Sequence, residues 1–142
     1  MPKKIPAAVF PEKYLVVKRS SLPGSGKGLF TKKLIPKGTL VVEYKGIRRT
    51  WKEIKEASKK RYIYGYMYAI NGNKYIDASR TYKALARYAN DAAGLGRVPG
   101  VKNNCVYTDD GEKAFIKATK DIPAGSEIFV RYGKDYWDVH KA

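Results

Sequence analysis

Tyr132 closes the segment Glu127-Ile128-Phe129-Val130-Arg131-Tyr132-Gly133. A phenol there can act by orientation, because its hydroxyl both donates and accepts a hydrogen bond. Two further segments carry residues suited to a site: the turn Gly24-Ser25-Gly26-Lys27-Gly28 and the stretch Ala86-Arg87-Tyr88-Ala89-Asn90-Asp91. Glycines let backbone approach a ligand closely. The turn does not fit a phosphate-binding P-loop, since no Gly-Lys-Ser/Thr ends it. It does not fit a dinucleotide fingerprint either, since no helix signal follows and no βαβ unit surrounds it. Taken alone, it reads as a flexible hairpin turn.

The chain holds 12 tyrosines, and Tyr62, Tyr64, Tyr66 and Tyr68 alternate, so an extended chain would project them to one face. Two readings stand for them. One is aromatic packing on a half-buried strand. The other is a set of rings and hydroxyls around an ammonium group. Asn90-Asp91 with Asp109 and Asp110 could offer oxygen ligands, but the spacing matches no calcium loop. Asp109-Asp110-Gly111 reads more simply as a solvent-facing turn. Cys105 is the only cysteine and His140 the only histidine. A zinc site of clustered cysteine and histidine is therefore excluded, as is an internal disulfide. Cys105 reads as a small buried apolar residue between strands.

The elements that must position these residues are short. Tyr14-Leu15-Val16-Val17 and Leu40 to Tyr44 read as strands, with Pro36-Lys37-Gly38 as the turn between. Trp51, Ile54, Ala57 and Ser58 have helical spacing. Asn71-Gly72-Asn73 joins Tyr66–Ile70 to Lys74–Ile76 as a hairpin. A second hairpin joins Cys105-Val106-Tyr107 to Ala114-Phe115-Ile116 through Thr108-Asp109-Asp110-Gly111. Arg80 to Tyr88 has the spacing of a short helix. Ile128 to Tyr132 is a last strand, opened by Ile122-Pro123-Ala124-Gly125. That turn resembles Ile35-Pro36-Lys37-Gly38, either as a weak duplication or as one turn chemistry used twice. Many short strands with little helix predict a mostly β fold of several small antiparallel sheets.

The chain has 142 residues, enough for one domain with its own core. Residues 1–13, with prolines around Phe10, read as an arm; 14–137 form the domain, and 138–142 a tail. No apolar run approaches bilayer length, and the start lacks a secretion signal, so the cytoplasm is the expected compartment. The net charge of +16 favours polyanions through counterion release. A lysine-rich solvated surface accounts for it equally well. The basic residues run from Lys3 to Lys141 rather than forming one tail.

In this order the motifs resemble the SET domain, the fold of protein-lysine methyltransferases, over about Tyr14 to Trp137. Gly26-Lys27-Gly28 resembles the family's first cofactor turn, and Val42-Glu43-Tyr44-Lys45-Gly46 the strand and turn after it. Ile76-Asp77-Ala78 resembles Ile-Asp-Ala. Arg87-Tyr88-Ala89-Asn90-Asp91 stands where the family has Arg-Phe-Ile-Asn-His, Asn103-Asn104-Cys105 where it has Pro-Asn-Cys, and Glu127 to Gly133 where it has Glu-Leu-Thr-x-x-Tyr-Gly. Asp91 in place of histidine is one departure. The lack of flanking cysteine clusters is another, and points to a minimal member of bacterial or viral type.

The resemblance implies a β-clip architecture with a knot-like C-terminal segment. It implies methyl transfer from S-adenosylmethionine to a lysine side-chain amine of a protein, with Tyr132 as the catalytic tyrosine and no metal. Tyr66, Tyr68 and Val130 would wall the lysine channel. Gly26, Lys27, Gly28, Arg87, Asn90, Asp91, Tyr132 and Trp137 would hold the cofactor, Tyr136-Trp137 closing over it. Val130 stands where the family commonly has phenylalanine or tyrosine, which implies room for two or three methyl groups. The substrate would be an acidic or DNA-associated protein, lying as an added strand; a homodimer would fit a minimal member. The competing reading is a SET-like module, weak in catalysis, that binds nucleic acid through its charge, at a nucleoid or a host nucleus. An RNA-binding β-protein with stacked tyrosines is a third, without the signature of such domains.

Overall fold

Turn and capping chemistry set the element boundaries in the computed structural model, which describes residues 8–60, 66–93 and 98–132. Among the described residues nine strands form in chain order: β1 Leu15–Arg19, β2 Lys27–Thr31, β3 Leu40–Tyr44, β4 Ile47–Arg49, β5 Met67–Asn71, β6 Lys74–Asp77, β7 Cys105–Asp109, β8 Ala114–Ala118 and β9 Glu127–Ile128. They make three antiparallel sheets, ordered β1-β2-β9, β3-β8-β7 and β4-β6-β5. The expected small antiparallel sheets are present.

Both anticipated hairpins form. At the β5–β6 turn, Asn71 Oδ1 accepts from the Asn73 amide at 2.9 Å. At the β7–β8 turn, Asp110 Oδ1 accepts from the amides of Glu112 (2.9 Å) and Lys113 (2.7 Å). These carboxamide and carboxylate turns hold the chain reversal locally. Among the described residues the one α-helix, α1, spans Trp51–Ser58. Thr50 and Glu53 form a reciprocal capping box, satisfying amides that the first turn leaves without partners. Ile54 is its buried residue.

Two expectations shift in detail. Arg80 to Tyr88 gives only a 3-10 turn at Leu85–Tyr88, because Ala84 before it and Ala89 after it are extended. The last strand is shorter than Ile128 to Tyr132: only Glu127 and Ile128 join a ladder, while Phe129 and Val130 make isolated parallel bridges to Asn90 and Cys105. These bridges flank the C-terminal segment on two sides; they do not in themselves make a knot. The two similar proline turns meet each other. Ile35 and Ile122 exchange both amide–carbonyl hydrogen bonds, each 2.8 Å. In the described part of the arm, Val9 bridges Leu40, and the Phe10 amide donates to the Leu40 carbonyl at 2.8 Å.

One cluster draws on all three sheets, with Leu29, Val41, Val42, Ile76, Ile116, Ile128 and Val130 within it. Each such side chain contributes about 1.5–3 kcal/mol when removed from water. This core fixes the sheets against one another and so fixes the loops that carry the site. No described helix is long and apolar enough to cross a membrane.

Candidate active site

The last strand segment is where the separate motifs converge. The Val130 amide donates to the Asn90 carbonyl at 2.8 Å, and the Asn90 side-chain amide donates to the Lys27 carbonyl at 3.0 Å. Asn90 therefore ties the glycine turn to the C-terminal segment. The turn needs its glycines for distinct reasons. Gly26 has φ +64°, a left-handed conformation that side chains disfavour. A Cβ on Gly28 would overlap the Glu127 carboxylate and come within 3.2 Å of Ser20 Cβ. Glu127 is buried and accepts from the hydroxyls of Ser20 (2.7 Å) and Ser21 (2.6 Å) and from the Ser21 amide (2.8 Å).

Tyr132 is held at both ends. Its amide donates to Asp91 Oδ2 at 3.0 Å, and its hydroxyl donates to the Ala89 carbonyl at 2.6 Å. Asp91 is buried. Its Oδ1 accepts from the Ala93 amide and from the Asn103 side chain, both at 2.8 Å. Asn103 Oδ1 in turn accepts from the Ala92 amide at 2.7 Å. Asn104 spans the C-terminal segment, donating to the Glu127 carbonyl and accepting from the Phe129 amide, both at 2.9 Å.

Tyrosine rings extend inward from Tyr132. Tyr107 stacks on it with ring centroids 6.5 Å apart. Tyr68 lies 5.4 Å from Tyr107, and Tyr44 lies 5.7 Å from Tyr107 and 6.1 Å from Tyr68. Such stacked, tilted and edge-on pairs add to area burial and fix ring orientation. The Tyr68 hydroxyl donates to Asp109 Oδ2 at 2.9 Å. Burial, with that hydrogen bond and the Asp109 charge, pushes the Tyr68 phenol up to about 12, so it stays neutral. Asp109 thus does more than turn the chain.

Tyr66 faces elsewhere. Its ring lies 4.4 Å from the Arg87 guanidinium, which also has Tyr82 at 4.7 Å and Tyr88 at 5.5 Å. Arg87 Nη1 donates to the carbonyls of Ala78 (3.1 Å) and Ser79 (3.3 Å). Nearby, Arg49 Nε pairs with buried Asp77 at 2.8 Å. Burial pushes the Asp77 carboxyl up, yet hydrogen bonds from Ser79 and Arg49 outweigh it and hold it below the usual carboxylate range. Cys105 is buried, and that burial pushes its thiol up to about 12, so it is no nucleophile. Among the described residues no cluster of three metal-ligating side chains occurs.

Of the anticipated site residues, Gly26, Lys27, Gly28, Asn90, Asp91, Val130 and Tyr132 meet in this one bonded network. Tyr68 joins it through Tyr107. Tyr66 and Arg87 pair with each other. Tyr62, Tyr64, Tyr136 and Trp137 lie outside the described residues. Sequence reasoning missed Tyr44 and Tyr107 as ring neighbours and Asn103 as the anchor of Asp91. Tyr107 had a signal: it stands two residues past buried Cys105, on the same face of β7.

The SET domain profile matches residues 26–133. The chain belongs to the SET domain family. Its relatives include histone-lysine N-methyltransferase EZH2 of Chaetomium thermophilum, 29% identical over 91% of this chain and 9% of that protein. Histone-lysine N-methyltransferase 2D of Homo sapiens is 32% identical over 80% of this chain and 2% of that protein. Histone-lysine N-methyltransferase set-1 of Caenorhabditis elegans is 30% identical over 76% and 46% respectively. The SET chain thus spans less than half the length of these relatives. A solved structure, a humanized mutant of the Chaetomium thermophilum Polycomb Repressive Complex 2 bound to the inhibitor GSK126, superposes with TM-score 0.67 and 27% identity, over 84% of this chain and 15% of that one.

Proposed function

We propose that this SET domain is a protein-lysine N-methyltransferase that uses S-adenosylmethionine. The observation that carries the reading is the grip on Tyr132, with its amide on Asp91 and its hydroxyl on the Ala89 carbonyl. The residues fit the cofactor. At Gly26 a Cβ would have open space around it, which leaves the backbone approachable, and Asn90 fixes the turn to the Tyr132 segment. Gly26, Lys27 and Gly28 would hold the amino-acid end, with Asn90 and the Asp91 backbone beside them; Arg87 and Trp137 remain candidates. When bound, the cofactor supplies an electrophilic methyl group on a sulfonium centre.

The chain's own contribution is alignment. With its proton committed to Ala89, the Tyr132 hydroxyl can act toward an incoming lysine only as an acceptor. It would orient an amine N–H and, through its partial negative charge, favour the methyl group in transit. A preset acceptor of this kind costs nothing to reorganise during reaction. The lysine must arrive neutral, although a free lysine has a pKa of about 10.4. Exclusion of water from a channel beside Tyr44, Tyr68 and Tyr107 would disfavour the ammonium form by desolvation, as would the positive sulfonium nearby. Tyr68 would line the approach, with Tyr66 set apart on Arg87, and Val130 leaves room for a second and third methyl. The substrate class is a protein lysine, on an acidic or DNA-associated partner.

The net charge of +16 supports a second reading, a nucleic-acid-binding module with weak catalysis. One experiment separates them: incubation of the protein with methyl-labelled cofactor and a source-cell lysate, followed by identification of labelled proteins. Labelled lysine on a discrete substrate supports the transferase. No label, together with no thermal stabilisation by the cofactor and tight duplex binding, supports the module.

A further inference from the structure

The β1–β2 hairpin carries charge of a single sign. From residue 13 to residue 42 the sequence has seven lysines and arginines and no aspartate or glutamate. All seven are exposed. Elsewhere carboxylates answer lysines: Glu56 pairs with Lys59 and Glu112 with Lys74. Three acids that border or contact this segment are already engaged. Glu12 pairs with Lys45, Glu127 is buried on Ser20 and Ser21, and Asp121 accepts from the Lys37 amide.

The register gathers the cations. Lys18 stands opposite Gly28 and Val16 opposite Phe30, so Lys18 and Phe30 share the outer face. Lys18 Nζ lies 4.4 Å from the Phe30 ring centroid. Beyond the strand ends, Lys33 and Lys13 lie 4.2 and 5.2 Å from the Tyr14 ring, and the Lys32 amide donates to the Tyr14 carbonyl. The aromatic rings hold several ammonium groups along one rigid sheet.

We propose that this face docks the phosphodiester backbone of duplex DNA, independently of the methyl-transfer reading. The contact is to backbone, because the face offers sheet and lysines and no helix to enter a groove. Single strands fit less well, since the Tyr14 and Phe30 rings that could stack bases are capped by lysines. An anionic membrane fits less well too, since Leu34 is the one large exposed apolar residue in residues 13–42 and a surface helix is lacking there.

The test is fluorescence anisotropy of the full chain with a short mixed-sequence duplex across a salt series. Lys18→Gln/Lys32→Gln/Lys33→Gln is compared with Lys52→Gln/Lys55→Gln/Lys60→Gln, which removes the same charge from the exposed side of α1 and the residues just after it. The first variant should lose more than about tenfold in affinity and flatten the slope of log K against log salt by about 2 to 3, as expected for three lost phosphate contacts. The second should stay within about twofold of wild type, as expected for charges outside the contact. Thermal melts confirm that both variants are folded. Equal losses in the two variants, absence of duplex binding at low salt, or tighter binding to single strands or to phosphatidylserine vesicles overturns the proposal. Turnover on a short peptide, read in parallel, reports on methyl transfer separately, so either idea can fail alone.

Discussion

Asp91→Asn tests how the site is held, at the position where the chain departs from the family's histidine. The buried carboxylate accepts from the amides of Ala93 and Tyr132 and from the Asn103 side chain, at 2.8, 3.0 and 2.8 Å. Asparagine keeps the shape but has one acceptor atom. If its oxygen stays on Ala93 and Asn103, its NH2 group faces the Tyr132 amide, donor against donor. One charge-assisted hydrogen bond is lost and a donor is left unsatisfied, at about 1–3 kcal/mol. Two more weaken from ionic to neutral strength. A total near 3 kcal/mol follows, or a fall in Tm of roughly 6–12 °C at this chain length. Urea denaturation with the slope checked for constancy measures it. A variant within about 0.5 kcal/mol of wild type, as for an ordinary surface change, would refute the idea that this carboxylate positions the Tyr132 backbone.

Other outcomes follow from the same geometry. Gly28→Ala forces a Cβ into Glu127 and should cost about 1–3 kcal/mol in denaturant unfolding, with weaker cofactor binding in calorimetry. The Tyr68 phenol is pushed up to about 12 from 10.0, so its contribution to stability is complete below pH 10 and disappears as pH rises through 12; Tyr68→Phe should remove that part of the alkaline decline in pH-dependent melts. With Val130 rather than a bulky aromatic beside the site, product mass from a peptide assay should include di- or trimethyl-lysine; a strict stop at one methyl counts against this.

Local chemistry made much of the fold legible. The Asn71-Gly72-Asn73 and Asp109-Asp110-Gly111 turns and the Thr50–Glu53 cap act within a few residues, so their hairpins and helix follow from sequence. The 80–88 stretch did not, because Arg87 Nη1 donates to the carbonyls of Ala78 and Ser79, and Tyr88 bonds back to the Tyr82 carbonyl rather than supporting a helix. The motif residues around Tyr132 were readable through family resemblance. Tyr44 and Tyr107 were not, because their meeting depends on β3 and β7 flanking β8, although β3 and β7 lie about 60 residues apart in the chain. Asn103 was hidden likewise: its value lies in bonding a carboxylate on a different loop.

The central claim is that the Tyr132 hydroxyl, fixed on the Ala89 carbonyl, aligns a lysine amine for methyl transfer. The direct measurement is single-turnover transfer of labelled methyl to a lysine substrate by wild type and by Tyr132→Phe, with cofactor affinity measured alongside. The account predicts that the variant binds S-adenosylmethionine within a few-fold of wild type yet transfers roughly 10²-fold more slowly or worse, the scale of losing one preorganised polar group. Equal transfer rates for the two proteins would contradict it.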